Sequence, residues 1–439
     1  MYIVFFSRLV VKSVIFAVKV PKGGFQHPYL APKGGQRGYM LVRILSFMVA
    51  LSSVACQSES NEQSPADGGV GVSTDAAPVS PMPDAAVNMA GDASEPAGGP
   101  DAGPTSILGF RSETVEYIPS TRNEVRQIPI HFWYPAAEPT ETTALYKFFP
   151  RDDVFMNAPV ALEPGAPVLL FSHGRRGFGE YSYFICEYFA KQGWLVAAVD
   201  HVGDRVSDGV TPDDIYSVRP QDISAMLDHI TALPETHPLH GLASDKVALA
   251  GHSFGGYTTF IVAGAGYDVD TLRADCDSEW DNDFCRNLDL GEARFRQGFT
   301  DPRVKLAIPI AAGNNRLYEA HLDRIEVPVL MITGARDTSV TEEGSATPIW
   351  NQITGTEHRR VQFHQGGHFT FTNICSIIGP LGENNGCDDS FIPPDVAHPM
   401  VNAYIEAFVG RHLFGDESGA ALIDGITSLH EDVELMKKE

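Results

Sequence analysis

Five nearly continuous apolar runs constrain the fold of this 439-residue chain more than any other feature. They read "PVLLFSHG" (167–174), "LVAAVDH" (195–201), "KVALAGHS" (246–253), "VKLAIPIAAG" (304–313) and "VPVLMITGARD" (327–337). Strands of this kind are expected where both faces of a sheet are covered. Helix-like stretches separate them, and this alternation predicts an α/β domain with a mainly parallel central sheet and helices on both faces.

The same pattern predicts the neighbouring elements. The stretch "YSYFICEYFAKQG" predicts a helix that ends at Gly193, and further helices are expected at Pro220 to Leu233 and after Gly255. Upstream, "ETVEYIPS" and "QIPIHFWYP" predict two edge strands, which a turn at Thr121 to Glu124 joins. The predicted domain spans residues 107–439.

Residues 1–55 predict an export signal. They hold seven Lys or Arg and no Asp or Glu, and from Met40 the sequence reads "MLVRILSFMVALSSVAC". A basic start, a short apolar run and small residues are typical of a secretory signal peptide, and the run is too short for a membrane-spanning helix. We therefore predict that the natural start is Met40 and that residues 1–39 are an extension; a second anchor is the alternative.

The "SVAC" that ends at Cys56 resembles a bacterial lipobox, which predicts lipidation of that cysteine. Ordinary cleavage after Ala55 is the alternative. Residues 56–106 follow as an acidic Pro/Gly/Ser/Ala segment; from residue 57 it has no basic or aromatic residue. Such a segment buries too little apolar surface to offset its ordering entropy, so we predict a disordered tether. The predicted protein is exported and membrane-anchored on the periplasmic or cell-surface side, or else secreted.

The pentapeptide Gly251-His252-Ser253-Phe254-Gly255 predicts a nucleophilic serine. It lies between a predicted strand and a predicted helix, where a sharp bend would expose the serine hydroxyl above a helix N-terminus. Residues without bulky side chains are needed beside such a bend. A structural turn is the alternative reading.

A serine needs a base and an acid that orients the base. In this arrangement they follow the serine in loops after later strands. Asp337 is the predicted acid, with Glu342 and Glu343 as fallback candidates. His368 is the predicted base, because it follows paired glycines beyond the last apolar strand, whereas His364 lies in or at the end of that strand.

Backbone N–H groups of Phe254 and Arg175 are the predicted oxyanion-hole donors. His173 is expected to organise the loop that carries Arg175. The paired glycines argue against a helical metal pair of His364 and His368, so we predict no metal site and no cofactor.

Three stretches together, "PVLLFSHGRRGFGEYSYFICEYFAKQGWLVAAVDH", "RPQDISAMLDHI" and "GHSFGGYTT", resemble the α/β-hydrolase branch of platelet-activating-factor acetylhydrolases and predicted dienelactone hydrolases. The resemblance covers about residues 110–415. It implies the α/β-hydrolase fold and a serine carboxylic-ester hydrolase with Ser253, Asp337 and His368 as its triad. True dienelactone hydrolases have a cysteine nucleophile, so serine at position 253 argues against lactone specificity.

Cysteine usage fits export. Two short polar loops predict the disulfides Cys276–Cys285 and Cys375–Cys387, and Cys186 on an apolar helix is the predicted buried free thiol.

Together these features predict a monomeric serine esterase that acts on short-chain or lipid-type esters. Its only membrane contact would be an N-terminal lipid anchor. The formal charge of −24 argues against nucleic-acid partners. A polyester or cutinase-like hydrolase and a non-catalytic surface lipoprotein are the alternatives.

Overall fold

The computed structural model describes residues 107–278 and 283–438. The extension, the signal peptide, the tether and Cys56 lie outside the described residues, so the predictions about them stay predictions. The described strands are β1 (Leu108–Tyr117), β2 (Arg126–Pro135), β3 (Thr143–Tyr146), β4 (Phe149–Met156), β5 (Ala166–Ser172), β6 (Leu195–Val199), β7 (Ala243–His252), β8 (Val304–Ile310), β9 (Leu330–Gly334), β10 (Arg359–Phe363) and β11 (Val433–Lys437).

These strands form one sheet in the order β11-β10-β9-β8-β7-β5-β6-β2-β1-β4-β3. Six adjacent strands, β6, β5, β7, β8, β9 and β10, are parallel to one another. Strands β2 and β11 flank this group and pair antiparallel with β6 and β10. The prediction of a mainly parallel central sheet is therefore confirmed. The carboxyl ends of the parallel strands lie at one edge of the sheet, where ligands bind in folds of this class.

The α-helices are α1 (Tyr183–Lys191), α2 (Ile215–Thr231), α3 (Phe254–Ala263), α4 (Val269–Ser278), α5 (Asp283–Gln297), α6 (Thr347–Gln352), α7 (Cys375–Ile378), α8 (Pro394–Val409) and α9 (Ala420–Ile423). Short 3-10 helices span Asn315–Leu317, Glu319–Arg324, His368–Phe371 and Gly379–Gly382, and π-helical turns span Glu342–Ala346 and Gly410–Phe414.

Strand β5 shows how the sheet is covered on both faces. All seven of its residues are buried. Leu169 and Phe171 pack in a core with residues of α1 and α8, whereas Val168 and Leu170 pack in a core with residues of α2. Successive side chains of a strand point to opposite faces, which explains why its sequence is apolar without interruption.

Two predicted details are wrong. Strands β1 and β2 pair antiparallel as expected, but neither is an edge, because β2 also pairs with β6 and the β3–β4 hairpin extends the sheet beyond β1. Helix α2 begins at Ile215 and contains Pro220 in its interior. A proline there removes the N–H that would bond the Tyr216 carbonyl. The Tyr257 hydroxyl donates to that carbonyl instead (3.2 Å), so the helix continues through the proline.

The predicted cysteine pairs are joined in the structure as Cys276–Cys285 and Cys375–Cys387. Cys186 is a free thiol buried on α1, and burial raises its pKa well above the ordinary value. Within the described ranges, no helix has both the length and the apolarity that crossing a bilayer requires.

Replacing both Cys375 and Cys387 with serine should lower the free energy of unfolding by about 3 kcal/mol, because the unfolded chain regains the entropy of an open loop. Urea unfolding of wild type and variant measures the difference. The double serine variant of Cys276 and Cys285, which opens a loop of similar length, is the matched control and should lose a similar amount. Unchanged unfolding midpoints would contradict the expectation.

Candidate active site

Ser253 lies in a strained bend between β7 and α3. Its backbone angles are φ 58° and ψ −115°, a conformation that residues with a side chain adopt rarely and at an energetic cost. Its N–H donates to the Ile310 carbonyl on β8 (2.8 Å), which anchors the bend to the neighbouring strand. The bend places the serine at the carboxyl end of β7.

Two glycines make this bend sterically feasible. A side chain at Gly255 would overlap the carbonyl oxygen of Ser172 at the end of β5, and one at Gly251 would overlap the carbonyl of Gly255 itself. Strand β5, the bend and the start of α3 therefore touch through their backbones. This close approach explains why the residues beside Ser253 must be small, as the sequence predicted.

The structure brings the three predicted triad side chains together in hydrogen-bonding order. His368 Nε2 lies 2.9 Å from Ser253 Oγ, and His368 Nδ1 lies 2.7 Å from Asp337 Oδ2. Both the imidazole and the carboxylate are buried. The other Asp337 oxygen accepts two backbone N–H bonds of 2.7 Å, from Ser339 and Val340, which fix the orientation of the carboxylate.

The alternatives to Asp337 and His368 lie elsewhere, and Glu343 is exposed. Glu342 forms an ion pair with Arg360 and accepts a hydrogen bond from Gln362 (2.6 Å). His364 follows β10, is exposed, and has its Nε2 3.8 Å from Glu434. Neither side chain has a contact with Ser253 or Asp337 among the described interactions.

The two predicted oxyanion donors lie on either side of the serine. Phe254 is the first residue of α3, so its N–H has no acceptor within the helix. Arg175 is the second residue of a turn closed by the Gly177 N–H and the Gly174 carbonyl (3.1 Å), so its own N–H is not used to close the turn. A Cβ on Gly174 would lie 3.2 Å from Ser253 Cβ, so the turn lies directly over the nucleophile.

His252, the residue before the nucleophile, links the loops around it. Its Nε2 donates to the His368 carbonyl (2.9 Å), and its Nδ1 accepts from the Tyr181 hydroxyl. The same hydroxyl accepts from the Gly174 N–H (2.8 Å). Burial, together with the nearby His368, lowers the pKa of His252 well below its ordinary value. The neutral imidazole thus connects the base loop with the turn that carries Arg175.

A second serine–histidine–aspartate chain lies beneath the site. His201 Nδ1 donates to Asp222 (2.8 Å), and Ser172 Oγ donates to His201 Nε2 (2.9 Å). All three side chains are fully buried, so no substrate reaches Ser172. Burial acts to raise the pKa of Asp222, but the bidentate partner Arg126 and the His201 hydrogen bond lower it. This chain supports the end of β5 and is not a second catalytic site.

Arg219 on α2 bonds to the loop that carries Arg175. It pairs with Asp204 (2.8 Å), and both side chains are fully buried. It also donates to the His173 carbonyl and lies over the Phe254 ring at 4.5 Å. Burial lowers its pKa to about 10, although Asp204 acts to raise it. One cation therefore contacts both the residue before Gly174 and the residue after the nucleophile.

Both ring nitrogens of His173 bond to backbone groups of loops. Its Nε2 accepts from the His201 backbone N–H (3.0 Å), and its Nδ1 bonds the Gly174 carbonyl (2.7 Å). Burial and the nearby Arg219 lower its pKa well below the ordinary value. The neutral side chain therefore holds the loop together, as the sequence predicted.

Sequence reasoning missed Arg219, Asp204 and the His201–Asp222 pair. A signal was present in "RPQDISAMLDHI", where Arg219 and Asp222 lie three positions apart on one helix face among apolar residues. Charged residues on a face that packs against a sheet indicate a buried ion pair. Their partners come from distant segments, so the sequence alone could not assign the contacts.

His131, Glu180 and Asp200 form a buried group whose side-chain oxygen and nitrogen atoms lie within 4.8 Å of one another, close enough to hold a metal ion. Two cations already face it, since Lys147 lies 3.8 Å and Arg205 3.9 Å from Asp200 Oδ2. Burial acts to lower the pKa of His131, but the two carboxylates raise it. These two cations already place positive charge beside Asp200, which disfavours a further cation in this group.

Gly255→Ala should abolish fluorophosphonate labelling of Ser253 and lower the unfolding temperature, because the new Cβ overlaps the Ser172 carbonyl and displaces the bend. Gly209→Ala is the matched control, since a Cβ there meets no atom within 4 Å. Fluorophosphonate labelling and thermal unfolding of both variants measure the effect. Wild-type labelling of Gly255→Ala would contradict this account of the bend.

Acid should destabilise the protein through His201. Burial, reinforced by Arg219, lowers its pKa to about 3 from an ordinary 6.5. The unfolded state therefore binds the proton more tightly than the folded state. The contribution of neutral His201 to the free energy of unfolding is complete above pH 6.5 and is lost as the pH falls toward 3. Urea unfolding should show a loss of about 2 kcal/mol at pH 5 from this group.

His201→Gln should reduce the difference in unfolding free energy between pH 7.5 and pH 5. Other buried histidines with lowered pKa values contribute the remainder. Exposed His430→Gln is the control and should leave the difference unchanged. An undiminished difference in His201→Gln would contradict the assignment.

Comparisons with known proteins agree with this geometry. A family model described as serine hydrolase (FSH1) matches residues 260–372, a segment that contains Asp337 and His368 and begins after Ser253. A solved ferulic acid esterase from Streptomyces cinnamoneus is 21% identical, with a TM-score of 0.54; the match covers 77% of this chain and 98% of that one. This likeness shows the fold. The chain has the α/β-hydrolase fold, and residues 260–372 are similar to the serine hydrolase (FSH1) family.

Proposed function

We propose that this protein hydrolyses carboxylic esters through an acyl-enzyme on Ser253. The observation that carries the proposal is the continuous hydrogen-bonded chain from Ser253 Oγ through His368 to Asp337, with distances of 2.9 and 2.7 Å. A hydroxyl paired with an imidazole in this way is activated for attack on a carbonyl carbon.

In the first half of the reaction, His368 Nε2 takes the proton of the Ser253 hydroxyl while Oγ bonds to the ester carbonyl carbon. The carbonyl oxygen becomes an oxyanion, and the backbone N–H groups of Phe254 and Arg175 are the proposed donors that stabilise it. Asp337 stabilises the imidazolium that forms. His368 then gives its proton to the departing alkoxide, and an acyl-enzyme remains.

In the second half, His368 takes a proton from water, and the hydroxide oxygen bonds to the acyl carbon. The same two N–H groups stabilise the second oxyanion. The carbon–oxygen bond to Ser253 breaks, Oγ regains its proton from His368, and the carboxylic acid leaves. This chain's own residues carry every step.

For substrates, we propose short-chain or lipid-type esters, as in the platelet-activating-factor acetylhydrolases that the sequence resembles. The ferulic acid esterase of the same fold makes feruloyl esters a second class to test. We further propose an exported protein, lipid-anchored at Cys56, whose acidic tether holds the hydrolase away from the membrane.

Fluorophosphonate labelling tests which serine is the nucleophile. Wild type should be labelled at Ser253, as mapped by peptide mass spectrometry, and Ser253→Ala should not be labelled. Ser172→Ala should still be labelled, because its hydroxyl is fully buried. Absence of label from folded wild type would favour the non-catalytic lipoprotein.

A panel of p-nitrophenyl esters of graded acyl length, with a feruloyl ester and a polyester film, tests the substrate class. We expect kcat/KM to be highest for a soluble ester and to fall by at least about 10⁴-fold in Ser253→Ala. Faster release from the film than from every soluble ester would favour the cutinase-like alternative.

A further inference from the structure

Asn385 lies between the loop of the acid and the loop of the base, although nothing in the chemistry requires it. It is a buried residue in the segment that the Cys375–Cys387 disulfide closes. Its side-chain oxygen accepts the backbone N–H of His368 at 3.0 Å. The same oxygen accepts the backbone N–H of Thr338, the residue after Asp337, also at 3.0 Å.

One oxygen atom therefore bridges the backbone of the base and that of the residue after the acid. Asp337 and His368 are 31 positions apart and lie in loops after different strands. Backbone bonds already join the two segments just before these residues, from the Arg336 N–H to the Gly366 carbonyl and from the Ala335 N–H to the Phe363 carbonyl (both 2.9 Å). Asn385 extends this connection to the base itself and to the residue after the acid. The other end of the amide donates from Nδ2 to Ser339 Oγ (2.8 Å), which orients the oxygen toward the two N–H groups.

The backbone around Asn385 is held as firmly as its side chain. Its carbonyl accepts the Phe369 N–H (2.9 Å), and its own N–H donates to Gly382 (3.2 Å). A Cβ on Gly367 would lie 2.5 Å from the Asn385 carbonyl carbon, so the two backbones are in direct contact. The disulfide at Cys387 follows two residues later.

We propose that Asn385 is a positioning residue of the catalytic machinery, which holds the Asp337 and His368 backbones at the separation that the acid–base bond requires. This inference rests on the proposed hydrolytic function. Asn385 reaches the reaction only through the acid and the base. Its loss should therefore lower kcat and leave KM nearly unchanged.

The test compares four variants in p-nitrophenyl acetate hydrolysis. Asn385→Leu keeps four side-chain heavy atoms but removes the amide oxygen and nitrogen, and Asn385→Ala removes the amide group; kcat should fall on the order of 10- to 100-fold in each. Asn385→Asp keeps the oxygen acceptor and should restore most of the lost kcat. Asn402→Ala, which removes a buried amide bonded to the Phe184 carbonyl (3.2 Å), controls for general destabilisation.

A substrate-free measurement separates this proposal from the proposed function. The low-field proton resonance of the His368 imidazole, assigned by its loss in His368→Gln, should persist in Ser253→Ala and Asn402→Ala. It should shift or broaden in Asn385→Leu. Wild type that shows this resonance but hydrolyses no ester would overturn the proposed function alone.

The positioning role is overturned if folded Asn385→Leu or Asn385→Ala keeps kcat within about twofold of Asn402→Ala and retains the wild-type resonance. A fall in kcat that Asn385→Asp fails to restore also counts against it. If neither apolar variant folds, exposed Ser339→Ala replaces them, since it removes only the Nδ2 bond. A several-fold fall in kcat is then expected, and an unchanged kcat overturns the proposal.

Discussion

The close approach of the Gly255 backbone to the Ser172 carbonyl is the contact on which the site depends. It permits Ser253 to hold a backbone conformation that costs energy, and the bond to Ile310 on the next strand secures that conformation. Contacts with the three parallel strands β5, β7 and β8 therefore fix the position of Ser253. Strain of this kind persists only where the surrounding structure over-determines it.

Charged side chains buried next to the site hold the loop that carries Arg175. Arg219 and Asp204 are both inaccessible to solvent, and together with the Ser172–His201–Asp222 chain they hold the loop that carries Arg175, a predicted oxyanion donor. Breaking one member of such a pair leaves an uncompensated charge in the core. Hydrogen-bond geometry alone does not make a catalytic triad. Ser172, His201 and Asp222 have the same residue types in the same order, but they are fully buried and no substrate reaches them.

The fold and the triad were predictable because both depend on local patterns. Uninterrupted apolar runs predict strands covered on both faces, and the glycine-flanked serine between a strand and a helix predicts the bend. The edge of the sheet and the start of α2 were not predictable. The β3–β4 hairpin occupies an edge through long-range pairing, and the Tyr257 hydroxyl compensates for Pro220 from another helix.

By itself, the sequence determined the central parallel strands, the selection of Ser253, Asp337 and His368 as a hydrogen-bonded set, and the pairing of the nearby cysteines. Only the tertiary structure decided which buried charges meet, and that the Asn385 oxygen lies between residues 338 and 368. Periodicity and motifs act over a few residues, whereas a hydrogen bond between loops of different strands depends on how the whole sheet packs. No short stretch of sequence encodes that distance.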